Sequence, residues 1–385
     1  MAKTFSMSIL SLCLLLHFFL AKCTRLPLVP AFYIFGDSLV DSGNNNQFST
    51  SAKVNFKPYG IDFPDGTTGR FTNGRTSADF LAQFLGLPYG PPYNGLSDSQ
   101  KSEITTGMNY ASGSAGILRE TGSALGKNLP LEVQVQLFKE TVNNYLPRNF
   151  KTKDELLQYL SKSIFGVVIG GNDYINNYLK PEKYNSSHLY NAEQFSGILL
   201  KGLKQHLQDL YNLGARKFMV FNLSPIGCIP AMAKLKKVAG ACADDINELV
   251  SPYNKGFPSM IDELSTSLQG STFVQGNVGI PTILQDLVNS LHGSPIIQEH
   301  INFLSGFLSN IPMLKGFITA NPCCVTNSET HQCLEDVPPC TDTVTHLFWD
   351  EIHPTQTVDL LLAVGCFYGP LPCTPMNLLQ LALKQ

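Results

Sequence analysis

Three short apolar runs alternate with segments of helical periodicity, and that alternation constrains the fold of this chain more than any other feature. The runs are residues 31–35 (AFYIF), 163–169 (SIFGVVI) and 216–222 (RKFMVFN), and a weaker fourth begins at 271–274. Runs without polar interruption suit strands buried on both faces, as in a parallel sheet covered by helices. Helices are predicted at 76–85, with Thr76 as cap and Gly86 as stop, and at 131–144, 153–160 and 192–213. Further helices are predicted at 244–268, with a break near Pro252, and at 355–363 after Pro354. Residues 108–111 read as a short strand, 41–75 as a long functional loop, and 291–345 as a cysteine-rich stretch without sheet signal. Strand–helix alternation of this kind implies a mostly parallel sheet with both faces covered.

At 385 residues, 43% hydrophobic and 15% charged, the chain can bury a large core. A net charge of -3 and the lack of any long basic run give nucleic acid nothing to hold. Lys3 precedes an apolar stretch, residues 9–21, that is short for a bilayer span, and Ala21-Lys22-Cys23 offers a cleavage site. Residues 1–23 therefore read as a signal peptide and 24–385 as one secreted, extracellular domain with no transmembrane segment. The eight cysteines outside the leader read as disulfides in an oxidising compartment. Cys228 and Cys242 would close a short loop, and the other pairings stay open. A zinc site at Cys323, Cys324, Cys333 and Cys340 is the rival reading, and it lacks paired C-x-x-C spacing. Asn185-Ser186-Ser187 is a glycosylation sequon on a polar loop, while Asn222-Leu223-Ser224 is crowded by an apolar run and Pro225.

Gly36-Asp37-Ser38 follows the first run directly, at the carboxyl end of a strand where open α/β sheets bind ligands. Taken singly the triplet is also an ordinary turn. A serine hydroxyl becomes a nucleophile only beside a base, and the base needs a third group to fix its tautomer. Asp350 precedes His353 by three residues, which share a face on a helical turn, although the pair also reads as a capped helix start. Donors for a developing oxyanion are offered by Gly113, in the small-residue turn at 112–116, and by Asn172, after Gly170-Gly171.

These four blocks occur in order, with the extension Asp41-Ser42-Gly43-Asn44-Asn45, the stretch Asn109-Tyr110-Ala111-Ser112-Gly113 and the lead-in Phe348-Trp349-Asp350. Together they resemble the plant GDSL esterase/lipase branch of the SGNH hydrolase superfamily over nearly the whole mature chain. The resemblance implies a three-layer α/β/α sandwich with a small, mostly parallel, flavodoxin-like sheet. It implies a serine esterase or lipase that hydrolyses lipid or other small carboxylic esters through an acyl-enzyme, without metal or organic cofactor. Ser38 would be the nucleophile, His353 the base and then the acid, and Asp350 its orienting partner. The Ser38 N–H, the Gly113 N–H and the Asn172 side chain would bind the oxyanion. An acyltransferase or acetylesterase on cell-wall or cuticle polymers, and a catalytically silent secreted binding protein, are the alternatives; the oligomeric state stays open. The loop aromatics Phe56, Tyr59, Phe63, Tyr89 and Tyr93 read equally as a lipid or phenolic-ester groove and as loop anchors. Val325 stands where the family has glycine after the paired cysteines, residues 275–288 continue the fourth strand poorly, and 291–316 are longer than the pattern.

Overall fold

The computed structural model describes residues 26–237, 242–277 and 319–385, so the leader and the long stretch at 291–316 lie outside the described residues. Strands β1 (Phe32–Gly36), β2 (Ile164–Val168), β3 (Lys217–Phe221) and β4 (Thr272–Gly276) run parallel in spatial order. Their registers start at Phe32↔Ile164, Ile164↔Lys217 and Lys217↔Thr272. A two-stranded sheet, β5 (Thr319–Pro322) with β6 (His346–Phe348), stands apart from them. Strand β7 (Cys373–Thr374) adds an antiparallel edge to β4.

The outer edge of β1 is also covered. Residues 106–112 run parallel to it, with Phe32 N–H donating to Thr106 O, Ile34 N–H to Met108 O, Tyr110 N–H to Ile34 O and Ser112 N–H to Gly36 O. Only the Ile34↔Asn109 bridge is regular, so the strand read at 108–111 is an irregular edge segment. With it the parallel order in chain sequence is 2-1-3-4-5, the flavodoxin-like order, whose switch point lies beside the first strand.

The pleat divides the strand residues between two cores. Tyr33, Phe35, Phe165, Val167, Phe218, Val220 and Phe273 face one side, and Phe32, Ile34, Ile164, Met219 and Val274 the other. Helix α1 (Ser77–Phe84) packs on the second side. Helices α2 (Leu131–Glu140), α3 (Lys153–Lys162), α4 (Ala192–Asn212) and α5 (Asp244–Ser267) cover the first. Helices α6 (Gln356–Tyr368) and α7 (Leu378–Leu383) join α1. This is the expected α/β/α sandwich.

The predicted elements hold with local corrections. Thr76 forms a full capping box with Asp79, and Gly86 ends that helix region at φ 75°. The break foreseen near Pro252 does not occur, because α5 runs through both Pro252 and Pro258. Its buried stripe, which includes Ile246, Val250, Tyr253, Phe257 and Leu264, outweighs two missing backbone donors. Helix α6 runs past the expected stop at 363 because its far end is buried on the second core. The cysteine-rich stretch holds β5 after all, paired irregularly to a three-residue strand and too short to show as an apolar run.

All four cysteines of that stretch are spent in disulfides, Cys323–Cys340 and Cys324–Cys333. Cys228–Cys242 and Cys366–Cys373 complete the described set, the former as expected. No described helix is long and apolar enough to cross a membrane. Asn185 is exposed, whereas Asn222 is half-buried at the end of β3.

Candidate active site

The loop after β1 starts at a point where no side chain fits. A Cβ on Gly36 would lie 2.3 Å from Val168 O, on the neighbouring strand. Gln134 of α2 grips the same residue, accepting from Gly36 N–H and donating to Gly36 O, both at 2.8 Å. The chain then turns tightly, with Val40 and Asp41 N–H donating to Asp37 O. Ser38 therefore stands on the first positions of a helical turn, where backbone N–H groups have no partner within the turn.

The Asp-Ser-Gly-Asn-Asn extension then ties this loop to the edge segment. Asn44 Nδ2 donates to Asn109 O and Ala111 O, Asn45 Nδ2 donates to Ala52 O and Gly113 O, and Asn109 Nδ2 donates to Val40 O. Asp41 accepts from Gly43, Asn44 and Gly113 N–H at 2.7–2.9 Å. Asp173, after β2, accepts from Ile117 N–H, Leu118 N–H and the Thr121 hydroxyl. Burial pushes Asp37 up to about 7 and both Asp41 and Asp173 up to about 6, against the backbone N–H groups that favour their charged forms.

The expected base arrives from the other end of the chain. His353 Nε2 lies 2.8 Å from Ser38 Oγ, and His353 Nδ1 lies 2.8 and 3.0 Å from the Asp350 carboxylate oxygens. All three side chains are buried. Residues 350–353 are not the start of a helix, since α6 begins only at Gln356. Instead Asp350 Oδ1 accepts from the Ile352 and His353 N–H groups and folds the segment into a tight turn. Burial alone would raise Asp350. The His353 charge and the bonds from the His353 ring, Tyr59 and the His353 N–H outweigh it and hold the carboxyl below its usual range. The Phe71 ring covers the imidazole at 4.9 Å between centroids.

The remaining expected groups divide. Asn172 lines the same pocket as Ser38, with Nδ2 donating to Ala115 O and Oδ1 accepting from Asn176. Gly113 does not line it, and its N–H is given to Asp41. A Cβ there would meet Phe71 Cζ at 2.6 Å, so close packing by itself requires glycine. A serine hydroxyl, a carboxylate-backed imidazole and an adjacent amide are the parts needed to attack an acyl carbonyl and hold the resulting charge.

A model of the GDSL-like lipase/acylhydrolase family matches residues 32–363. The chain belongs to the GDSL lipase/acylhydrolase family. It is 41% identical over 349 residues to GDSL esterase/lipase 7 of Arabidopsis thaliana, covering 89% of this chain and 88% of that protein. Two further Arabidopsis thaliana relatives are GDSL esterase/lipase At1g33811, at 38% over 368 residues (92% and 91%), and GDSL esterase/lipase At5g08460, at 37% over 362 (92% and 87%). As a member of the GDSL family this chain is a carboxylic ester hydrolase.

The GDSL site also contains parts that sequence reading assigned elsewhere. Tyr59, read as a groove or anchor residue, is fully buried and donates to Asp350 Oδ2 at 2.6 Å. Phe63 and Tyr93 are buried as well, and none of the five loop aromatics lines the Ser38 pocket, so they act as anchors. Glu351 was not singled out at all. Its buried carboxylate accepts from Thr326 Oγ1 at 2.6 Å, meets His331 Nδ1 at 2.8 Å and pairs with Lys234. The one faint sequence signal for it is an acidic residue directly between Asp350 and the apolar Ile352.

Proposed function

We propose that the protein is a secreted serine esterase that cleaves esters with an apolar acyl group through an acyl-enzyme. Ser38 attacks the ester carbonyl while His353 takes its proton. His353 then returns that proton to the leaving alcohol, and Asp350 orients the ring and stabilises its charged form. Water attacks the acyl-Ser38 ester with the same base, and the acid is released. The Ser38 N–H and the second Asn172 amide hydrogen bind the oxyanion, and Gly113 joins them when the oxyanion competes with Asp41 for its N–H. A leader at residues 1–23, one domain over 24–385 and a glycan on the exposed Asn185 complete the reading, in keeping with the four disulfides.

The observation that carries it is the unbroken chain Ser38–His353–Asp350, joined across 315 residues at 2.8 Å. The apolar acyl group is supported by the pocket itself. Beside Ser38 it is walled by Leu39, Leu81, Val168, Ile175, Phe221 and Ile226, with Leu362, Ala363 and Cys366 of α6. Asp359, Ser77 and Ser224 are its outlying polar groups, and burial raises the Asp359 carboxyl well above its usual range. An acetyl group would leave such walls unused. The test is turnover of p-nitrophenyl esters of graded length by the wild-type protein and Ser38→Ala. Wild-type turnover should peak above acetate, and Ser38→Ala should abolish it. Undiminished Ser38→Ala turnover would defeat the mechanism, and a preference for acetate would defeat the substrate class.

A further inference from the structure

We infer that Tyr59 is a positioning residue for Asp350 and acts through its hydroxyl rather than its ring; this rests on the triad proposed above. A buried carboxylate needs donors on every side to stay charged. The two backbone donors of the 350–353 turn serve Oδ1, and the His353 ring approaches both oxygens. Among the described contacts, the one remaining donor to Oδ2 is the Tyr59 phenol, at 2.6 Å. The direction of that bond is dictated by chemistry. Ionised Asp350 can only accept, and the phenol oxygen already accepts from Cys333 N–H at 3.0 Å.

The ring is held as tightly as the hydroxyl. It meets Phe56 and Trp349 edge-on, at 5.4 and 6.4 Å between centroids, within a small core of its own that includes Val54, Phe71 and Cys323. Cys333 is bonded to Cys324, whose own N–H donates to Trp349 O. The cross-linked loop thus holds Asp350 twice, through the backbone immediately before it and, by way of Tyr59, through its carboxylate. Phenylalanine would pack in this core as well as tyrosine does, which leaves the hydroxyl to be explained by its bond to Asp350.

The experiment compares Tyr59→Phe with wild type across pH 5 to 9 on p-nitrophenyl butyrate, with Ser38→Ala in parallel and Tm recorded for each. Losing one donor to a charged group should lower kcat by roughly ten- to a hundredfold, with KM within about twofold. With less of its charge withdrawn, Asp350 should hold the imidazolium more firmly, so the acid limb of kcat/KM should move to higher pH. Because Tyr59→Phe also strips Cys333 N–H of its acceptor, a second arm places 3,5-difluorotyrosine at position 59. That stronger donor keeps the packing and should move the acid limb to lower pH. Acid limbs unmoved in both proteins would overturn the inference, as would a lower Tm with unchanged kcat. Full activity in Ser38→Ala would remove the triad and this role with it, whereas an inactive Ser38→Ala beside an unaltered Tyr59→Phe would remove this role alone.

Discussion

The two halves of the proposed catalytic site, a nucleophile side and an acid–base side, are held in place by different forces. The nucleophile side, residues 36–45 with 109–118 and 171–173, sits on the ends of parallel strands and is locked by side-chain amides and carboxylates bonded to backbone groups. The acid–base side, residues 349–353, lies in a segment with almost no regular structure. It is held by two disulfides, a buried tyrosine and the Glu351 cluster. Where the sheet supplies a rigid frame, hydrogen bonds suffice to aim a loop. Where there is no frame, covalent loop closure and a separate aromatic core take its place.

The largest test of that contrast removes one group from each half. Asp350→Asn should lower kcat by about 10⁴, because the orienting charge is lost. Asn172→Ala should cost about 10²–10³, because Ser38 N–H continues to bind the oxyanion. Comparable losses in the two variants would mean that the acid–base side has no privileged role.

The next test uses reductant. Opening Cys323–Cys340 and Cys324–Cys333 should release the acid–base side first, so esterase activity should fall before the sheet unfolds. Trp349, the chain's single tryptophan, is fully buried in the core beside those disulfides, and its fluorescence should shift to the red with the activity loss. Far-ultraviolet dichroism that collapses in step with activity would show that the two halves are not separable.

On the other side, Asn44→Ala leaves two buried carbonyls, Asn109 O and Ala111 O, without that donor. It should lower unfolding free energy by about 1–3 kcal/mol, read from urea midpoints, with no effect on the fluorescence change caused by reductant.

The last test of the contrast is pH. Asp37, at about 7, and Asp41 and Asp173, at about 6, all lie above the ordinary carboxyl value, so the folded chain binds protons that the unfolded chain has already released. Stability should therefore rise as pH falls from about 7.5 toward 5. Asp350 and Glu351 are held low and contribute the opposite slope, losing their stabilisation only at more acid pH. Tm should be higher at pH 5.5 than at pH 8, and Asp173→Asn should flatten that difference. A Tm that rises steadily with pH would show that these carboxyls are not raised in the folded chain.

Much of the fold was legible because its signals are local. The run at 31–35 became β1 shifted by one residue, Thr76 capped the helix it was expected to cap, and Gly86 ended that helix region at φ 75°. Signals failed where distant packing decided. Pro252 sits inside an unbroken helix because a buried stripe holds it, and His353 meets Ser38 through an aspartate turn rather than a helical one. Gly113 was legible as a residue in the site region, but not as one whose N–H is bound to Asp41.

The amino-acid order by itself determined which residues can do chemistry and which strand end carries the serine, because apolar runs, glycine turns and the Asp350–His353 spacing act over a few residues. Only the tertiary structure decided that Tyr59 serves Asp350 across 291 residues, and that the two disulfides close around Trp349. The reason is physical. A buried charge recruits its donors from whatever the packed core places beside it, and that neighbourhood is set by the closure of the whole chain, which no local pattern records.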